Sequence, residues 1–405
     1  MTISAMGPLA GIKVVEIAGI GPGPWAAMAL SDMGADVLRI DRPDDVPRDG
    51  ARPDAEMIGL NRGRRSVAVD LKAPGAADLI LQLAERSDVL LEGFRPGVAE
   101  RLGVGPEPCM ARNPRLVYGR MTGWGQDGAW RDHAGHDLNF VATSGVLHSI
   151  GAAGGPPVPP LSLVGDFGGG GLMLAFGVVC ALREAASSGQ GQIVDAAMVD
   201  GSALLATLFY IMRQEGSWSD ERGVNLLDGG APFYGVYETA DHRWLAVGAI
   251  EPKFYANLLA ALELGDELLE RQYDREDWPR AREILAAVFR TRTRDAWASL
   301  LDEAEACTTP VLNMLEAMDN EHMASRGVFT ELDGVRQPAP APRLSRTPGA
   351  IQRPPAVPGE HTDEALADWG VASSEIAALH AAGVVASVAE PGAAAPGPGI
   401  PSRSG

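Results

Sequence analysis

At 405 residues, with 46% hydrophobic and 21% charged residues, the chain has an ordinary globular composition and is long enough for two or three domains. A formal charge of −19 argues against a general binder of nucleic acid or anionic membrane, because counterion release needs a basic face. Cys109, Cys180 and Cys307 lie far apart with no CxxC pair, which argues against a disulfide framework or a cysteine zinc site and fits a reducing cytoplasm.

Ile12 to Ala18 is an apolar run rich in β-branched residues, GIGPGP follows as a turn, and Trp25 to Met33 reads as a helix. Ala35 to Asp41 is a second short strand, so the chain opens on a βαβ unit. Val67 to Asp70, Asp88 to Leu91 and Arg115 to Arg120 continue the rhythm of short apolar runs between helical stretches. The expected class is α/β, with a mainly parallel sheet covered by helices. A long apolar helix is expected from Gly171 to about Ala185, then a strand at Ile193 to Ala197 and a helical connection over 203–228. That apolar stretch is closed by Arg183, and the N-terminus lacks a basic, apolar leader pattern. Neither a membrane span nor a signal peptide is expected.

A strand at Trp244 to Ala249 and helices at Phe254 to Leu264 and Ala281 to Ala304 suggest a smaller α/β domain. The expected division is a large domain over 1–202, a helical linker over 203–229, a small domain over 230–330 and a return segment over 331–385. Pro338 to Pro358 reads as extended, and the Ala-, Pro- and Gly-rich residues 386–405 as a disordered tail.

GIGPGP after a first strand invites a dinucleotide-binding interpretation. It fails because Pro24 replaces the third glycine and Pro22 removes an N–H that could meet a pyrophosphate. His133 and His136 with Asp137 do not assemble a complete metal ligand set, so no metal is expected. The chemistry concentrates instead in 135–171, where GHDLNF is followed by GDF and four consecutive glycines. Moving a proton beside a carbonyl needs a base, an acid and donors for the enolate oxygen. His136, glycine-flanked beside a carboxylate, is the histidine best placed for such tuning.

Asp166 reads either as the N-cap of a helix whose first turn is Gly168 to Gly171 or as a reacting carboxyl. Four glycines weaken a first turn by up to roughly 1 kcal/mol each, so close approach of a ligand to the backbone is the better explanation. Glu251 lies at a strand-to-helix junction with Pro252 suited to the first helical position, and a cap is its simplest role. Arg42, Arg62, Arg64, Arg65, Lys72, Arg95 and Arg101 are consistent with a pocket for a phosphorylated ligand. Arg48 and Arg52 read better as solvated surface.

Together GPLAGIKVVEIAGIGPGP, NRGRRSVAVDLK, LLEGFRPGVAERLGVGP, MTGWGQDG, AGHDLNF, GDFGGGG and PAPRLSRTP resemble CoA-transferase family III in collinear order over about residues 7–370. The GHD triplet and the Ile250-Glu251-Pro252 segment resemble its α-methylacyl-CoA racemase branch. The resemblance implies a Rossmann-like large domain, a smaller α/β domain and an interlocked homodimer. It also implies α-proton exchange on a 2-methylacyl-CoA through an enolate, with His136 and Glu251 serving one face and Asp166 the other. CoA, part of the substrate rather than a cofactor, is implied to lie against Arg42, Val69, Asp70, Leu71, Lys72, Gly93, Phe94, Arg95, Arg101, Gly135, Asp137, Leu138, Asn139 and Phe140. The backbone of Phe167, Gly168 and Gly169 is expected to hold the enolate oxygen. Alternatives are a transferase in which Asp166 accepts the acyl group and an inactive acyl-CoA-binding protein. Three departures from the pattern stand out: an insertion over 43–58, Phe140 where the family commonly has Tyr, and the tail beyond about 375.

Overall fold

The computed structural model describes residues 7–47 and 59–388, and residues 389–405 of the expected tail and most of the 43–58 insertion lie outside them. The fold is α/β. A seven-stranded sheet contains β1 (Lys13–Ile17), β2 (Asp36–Asp41), β3 (Arg65–Val69), β4 (Val89–Glu92), β5 (Val117–Thr122) and β6 (Ile193–Ala197), in the order 3-2-1-4-5-6. These strands are all parallel, and a last short strand, Val385–Ala386, pairs antiparallel with β3. Ala386 is therefore in the sheet, one residue past the expected end of the return segment. Strands β3, β4 and β5 are buried throughout, Arg65 and Arg120 included.

The chain forms two compact units, one of residues 1–134, 166–201 and 330–405, the other of 135–165 and 202–329. Residues 135–165, expected in the large domain, and 203–229, expected as a linker, both group with the second unit.

In the first unit, helix Met173–Ser188 covers β5 and β6. Two glycines let it approach: a Cβ on Gly119 would stand 3.0 Å from Leu174 Cδ1, and one on Gly177 would stand 2.7 Å from Val194 Cγ1. Leu163–Ser188 is long and apolar enough to cross a membrane by length and composition. Its Leu174, Val178, Ala181 and Ala185 are buried, while Phe176 and Val179 are exposed.

The second unit carries an antiparallel sheet of β7 (Tyr234–Glu238), β8 (Trp244–Gly248) and β9 (Thr308–Pro310). Helices Pro252–Ala261, Trp278–Phe289 and Arg294–Glu303 contribute to its core. The expected single helix from Ala281 to Ala304 is two, because Arg290 to Thr293 leaves the helix and Thr293 caps the next one. Aromatic rings organise this core, with Phe233 5.5 Å from Tyr255 and Phe289 5.7 Å from Trp297 between ring centroids.

Candidate active site

The strand order reverses between β1 and β4, and open α/β sheets bind ligands beyond the carboxyl ends of strands at such a switch point. Arg42 follows β2, Asp70 to Lys72 follow β3, and Gly93 to Arg95 follow β4. Residues far apart in sequence are thus delivered to one edge of the sheet.

The arginines of the first hundred residues separate into two groups. Arg64 is fully buried and donates to Glu16 at 2.6 Å. Arg62 pairs with Asp32 at 2.6 Å, and Arg65 with Asp36 at 2.9 Å and Asp368 at 2.7 Å. These three stitch the sheet internally and are not available to a phosphate, contrary to expectation. Burial pushes the Glu16 carboxyl up and the Arg64 guanidinium down, each partly offset by the other's charge. Arg42, Lys72, Arg95 and Arg101, by contrast, are exposed and form no ion pair with a carboxylate among the described residues. Arg48 and Arg52 fall outside the described residues.

Asp166 does not cap a helix. It lies inside a π-helix, Leu163–Leu172, that runs directly into Met173–Ser188. Such turns are rare and concentrate at functional sites. The GIGPGP turn wraps this segment. Gly21, at φ +67°, precedes helix Pro22–Asp32, with Pro22 at the first helical position. A Cβ on Gly21 would stand 3.3 Å from Asp166 Oδ2. One on Gly171 would stand 2.8 Å from the Pro22 carbonyl oxygen and 3.0 Å from the Trp25 ring, and Trp25 also faces Phe167 at 6.4 Å between centroids.

From the other side, a Cβ on Gly201 would stand only 1.9 Å from the Gly169 carbonyl oxygen. Part of the glycine run is therefore explained by backbone packing rather than by an approaching ligand. Gly169 is buried in this packing, and the open first turn expected to offer its N–H does not form. Phe167 and Gly168 are half-buried.

In the second unit, His136 is exposed and precedes helix Asp137–Thr143, its backbone N–H donating to Asn139 Oδ1 at 3.0 Å. Asn139 thereby holds the end of the helix as well as facing solvent. Asp137 and Phe140 are buried at 8% and 3% exposure, and Val69 in the first unit at 1%. Their side chains are withdrawn from solvent. Gly135 is half-buried and Leu138 exposed.

Asp137 instead packs on the backbone before Asp166: a Cβ on Gly165 would stand 2.5 Å from Asp137 Oδ1. The residue after His136 thus touches the residue before Asp166. Glu251 is exposed at the start of helix Pro252–Ala261. The Ile250 carbonyl beside it accepts bonds from Gln272 Nε2 and the Tyr273 hydroxyl, both at 2.8 Å. Among the described residues of one chain, no hydrogen bond or ion pair joins Glu251 to His136.

The sequence reading missed Gly21, Pro22 and Trp25 as wall of the Asp166 site, although GIGPGP had already drawn attention as a motif. It also missed Gln272 and Tyr273, which carry no local signal because their target is a backbone carbonyl over twenty residues earlier.

A model of CoA-transferase family III matches residues 9–362. The chain belongs to this family. It is 45% identical over 382 residues to the α-methylacyl-CoA racemase of Mus musculus, covering 94% of this chain and 98% of that one. It is 44% identical to the Homo sapiens protein of the same name, with the same coverage. A CAIB/BAIF family protein from Brucella suis has the same fold, with a TM-score of 0.79 at 23% identity over 90% of this chain and 100% of that one. The family III assignment agrees with the resemblance seen in the sequence motifs.

Proposed function

We propose that the protein is a 2-methylacyl-CoA racemase that exchanges the α-proton through an enolate. The observation that carries this is the likeness to a curated racemase, 45% identical over 94% of this chain, in a sequence that keeps His136, Asp166 and Glu251 where the motif resemblance puts its proton-handling groups. The exposed cations Arg42, Lys72, Arg95 and Arg101 support CoA as the handle, because guanidinium and ammonium groups grip phosphate oxygens.

In one direction the neutral His136 imidazole takes the α-proton, leaving an enolate, and the protonated Asp166 carboxyl returns a proton to the opposite face. In the other direction the Asp166 carboxylate takes the proton and the His136 imidazolium gives one back. Each such group contributes about 10²- to 10⁴-fold to the rate. Phe167 and Gly168, half-buried beside Asp166, would line the place of the enolate oxygen. The proton balance closes on these side chains, and CoA serves as part of the substrate.

A homodimer would let Glu251 of one chain support His136 of the other. Each unit leaves apolar side chains exposed that a second copy would cover: Phe176 at 66% and Val179 at 43% in the first, Leu204 at 61% and Leu208 at 55% in the second. The three cysteines are free thiols, which suits a cytoplasmic setting.

The test is incubation of a pure 2-methylacyl-CoA epimer in D₂O. Epimerisation with α-deuterium gained is expected, lost in His136→Ala and Asp166→Ala. Retained configuration without label overturns the proposal. If a hydroxylamine-trappable adduct and dependence on a second carboxylic acid accompany that result, Asp166 is instead an acyl-accepting nucleophile.

A further inference from the structure

Arg120, in β5, is buried beneath the loop that carries Phe94 and Arg95 and the short helix that carries Arg101. Its Nε donates to Glu92 Oε1 at 2.9 Å, directly across the β4–β5 pairing in which Glu92 and Arg120 are register partners. Its Nη1 donates to Glu100 Oε1 at 2.8 Å, in helix Val98–Arg101. The second oxygen of Glu92 accepts from the backbone N–H of Phe94 at 2.6 Å. One guanidinium thus joins the start of the loop, through Glu92, to its far end, through Glu100. Between them the Arg95 carbonyl accepts from the Val98 N–H at 3.1 Å, closing the turn.

Glu92 is 3% exposed and Arg120 6%, and burial pushes the Glu92 carboxyl up while the Phe94 N–H and Arg120 oppose that shift. A buried carboxylate and guanidinium at this depth carry a desolvation cost, and well-packed apolar residues could replace them without loss of stability. What apolar residues could not supply is a directed hold on two separate points of one loop. That loop lies at the carboxyl end of β4, on the switch-point edge, and presents Arg95 and Arg101 exposed and without carboxylate partners among the described residues.

We propose that Glu92, Arg120 and Glu100 form a positioning clamp that presets the Gly93–Arg101 segment for the phosphate groups of CoA. Arg120 itself touches no substrate. It acts by holding Arg95 and Arg101 in a binding geometry before the ligand arrives, which lowers the ordering cost of binding. This rests on the assignment of the segment to CoA binding made above.

The experiment measures inhibition constants for free CoA and for free pantetheine, which lacks the nucleotide phosphates, alongside kcat and KM for a 2-methylacyl-CoA and the thermal midpoint of each variant. Arg120→Met is expected to weaken CoA by about tenfold, the scale of losing one charge-assisted hydrogen bond, and to raise KM similarly. The pantetheine constant moves less than about threefold and kcat changes little, because the chemistry is elsewhere. Arg120→Lys recovers only part of the loss, since an ammonium cannot reproduce the guanidinium fork.

Glu100→Gln, at an exposed carboxylate, repeats the pattern in weaker form and serves if Arg120→Met fails to fold. Equal weakening of CoA and pantetheine, or a drop in kcat alone, overturns the clamp. Arg95→Ala and Arg101→Ala separate the two ideas. If they leave CoA affinity unchanged, the CoA assignment of the segment fails. If they weaken it while the Arg120 and Glu100 variants do not, the clamp fails and the assignment stands.

Discussion

Gly201→Ala probes how tightly the carboxyl at 166 is placed. The added methyl would stand 1.9 Å from the Gly169 carbonyl oxygen, 2.5 Å from its carbon and 2.7 Å from its Cα, all of them backbone atoms that cannot swing aside. To restore even a tight contact of 3.0 Å the two backbones must part by about 1 Å. Overpacking of this kind costs about 1–3 kcal/mol of stability. Because Gly169 is three residues from Asp166 in the same π-helix, the movement reaches the carboxyl, and a misplacement of about 1 Å can cost on the order of 10²-fold in rate.

The assay is α-deuterium exchange of a 2-methylacyl-CoA under single-turnover conditions, with thermal unfolding measured in parallel. A loss of kcat of about 10²-fold is expected at a temperature where the variant remains folded. A variant destabilised by the stated amount that still exchanges at the wild-type rate would refute the argument that the close Gly201–Gly169 backbone contact places the Asp166 carboxyl.

Gly165→Ala sets a methyl 2.5 Å from Asp137 Oδ1 and 3.0 Å from Val141 Cγ2, and is expected to lower exchange by at least tenfold, while Gly75→Ala, which meets nothing within 4 Å but is strained at φ +93°, lowers stability without changing the exchange rate. Arg64→Leu strands the buried Glu16 carboxylate and should cost about 3–5 kcal/mol in denaturant unfolding. Arg42→Ala at the exposed rim should stay within about 0.5 kcal/mol of wild type while raising KM.

Glu316 offers a pH test. The Arg294 fork, bonded at 2.9 and 3.0 Å, and the Asn313 N–H hold its carboxyl down to about 2, against a normal 4.5. The folded value lies below the unfolded one, so this stabilisation is present above about pH 4.5 and is lost as pH falls toward 2. Acid unfolding of Glu316→Gln should be flatter across that window, and an unchanged acid limb would contradict the assignment.

Most of the sheet was legible because buried parallel strands are apolar runs with turn residues at their ends, as in Val14 to Ile17 and Val89 to Leu91. β7 escaped, since its Tyr234-Gly-Val-Tyr-Glu238 mixes a glycine with half-buried positions and has no continuous apolar run. The π-helix was not legible because apolar periodicity does not separate a repeat of four from one of five. Arg62, Arg64 and Arg65 looked like a phosphate grip because their partners, Asp32, Glu16 and Asp36, stand in other strands and helices. Charge pairing at that separation leaves no local pattern. His136, Asp166 and Glu251 stood out through residue type and neighbours, while the glycines that place Asp166 declared only flexibility, not what each would meet.

The last strand of the large sheet has a consequence for biogenesis. Val385–Ala386 seals the β3 edge, and Trp369 from the same return segment donates to Asp36 at 3.1 Å. During synthesis β1 to β6 emerge long before these residues, and 202–329 emerges between the second and third segments of the sheet's unit. The inserted unit can therefore finish folding on the ribosome while an open, apolar sheet edge still waits for Val385–Ala386. That interval is when association with chaperones or with a neighbouring nascent chain has its greatest influence on yield.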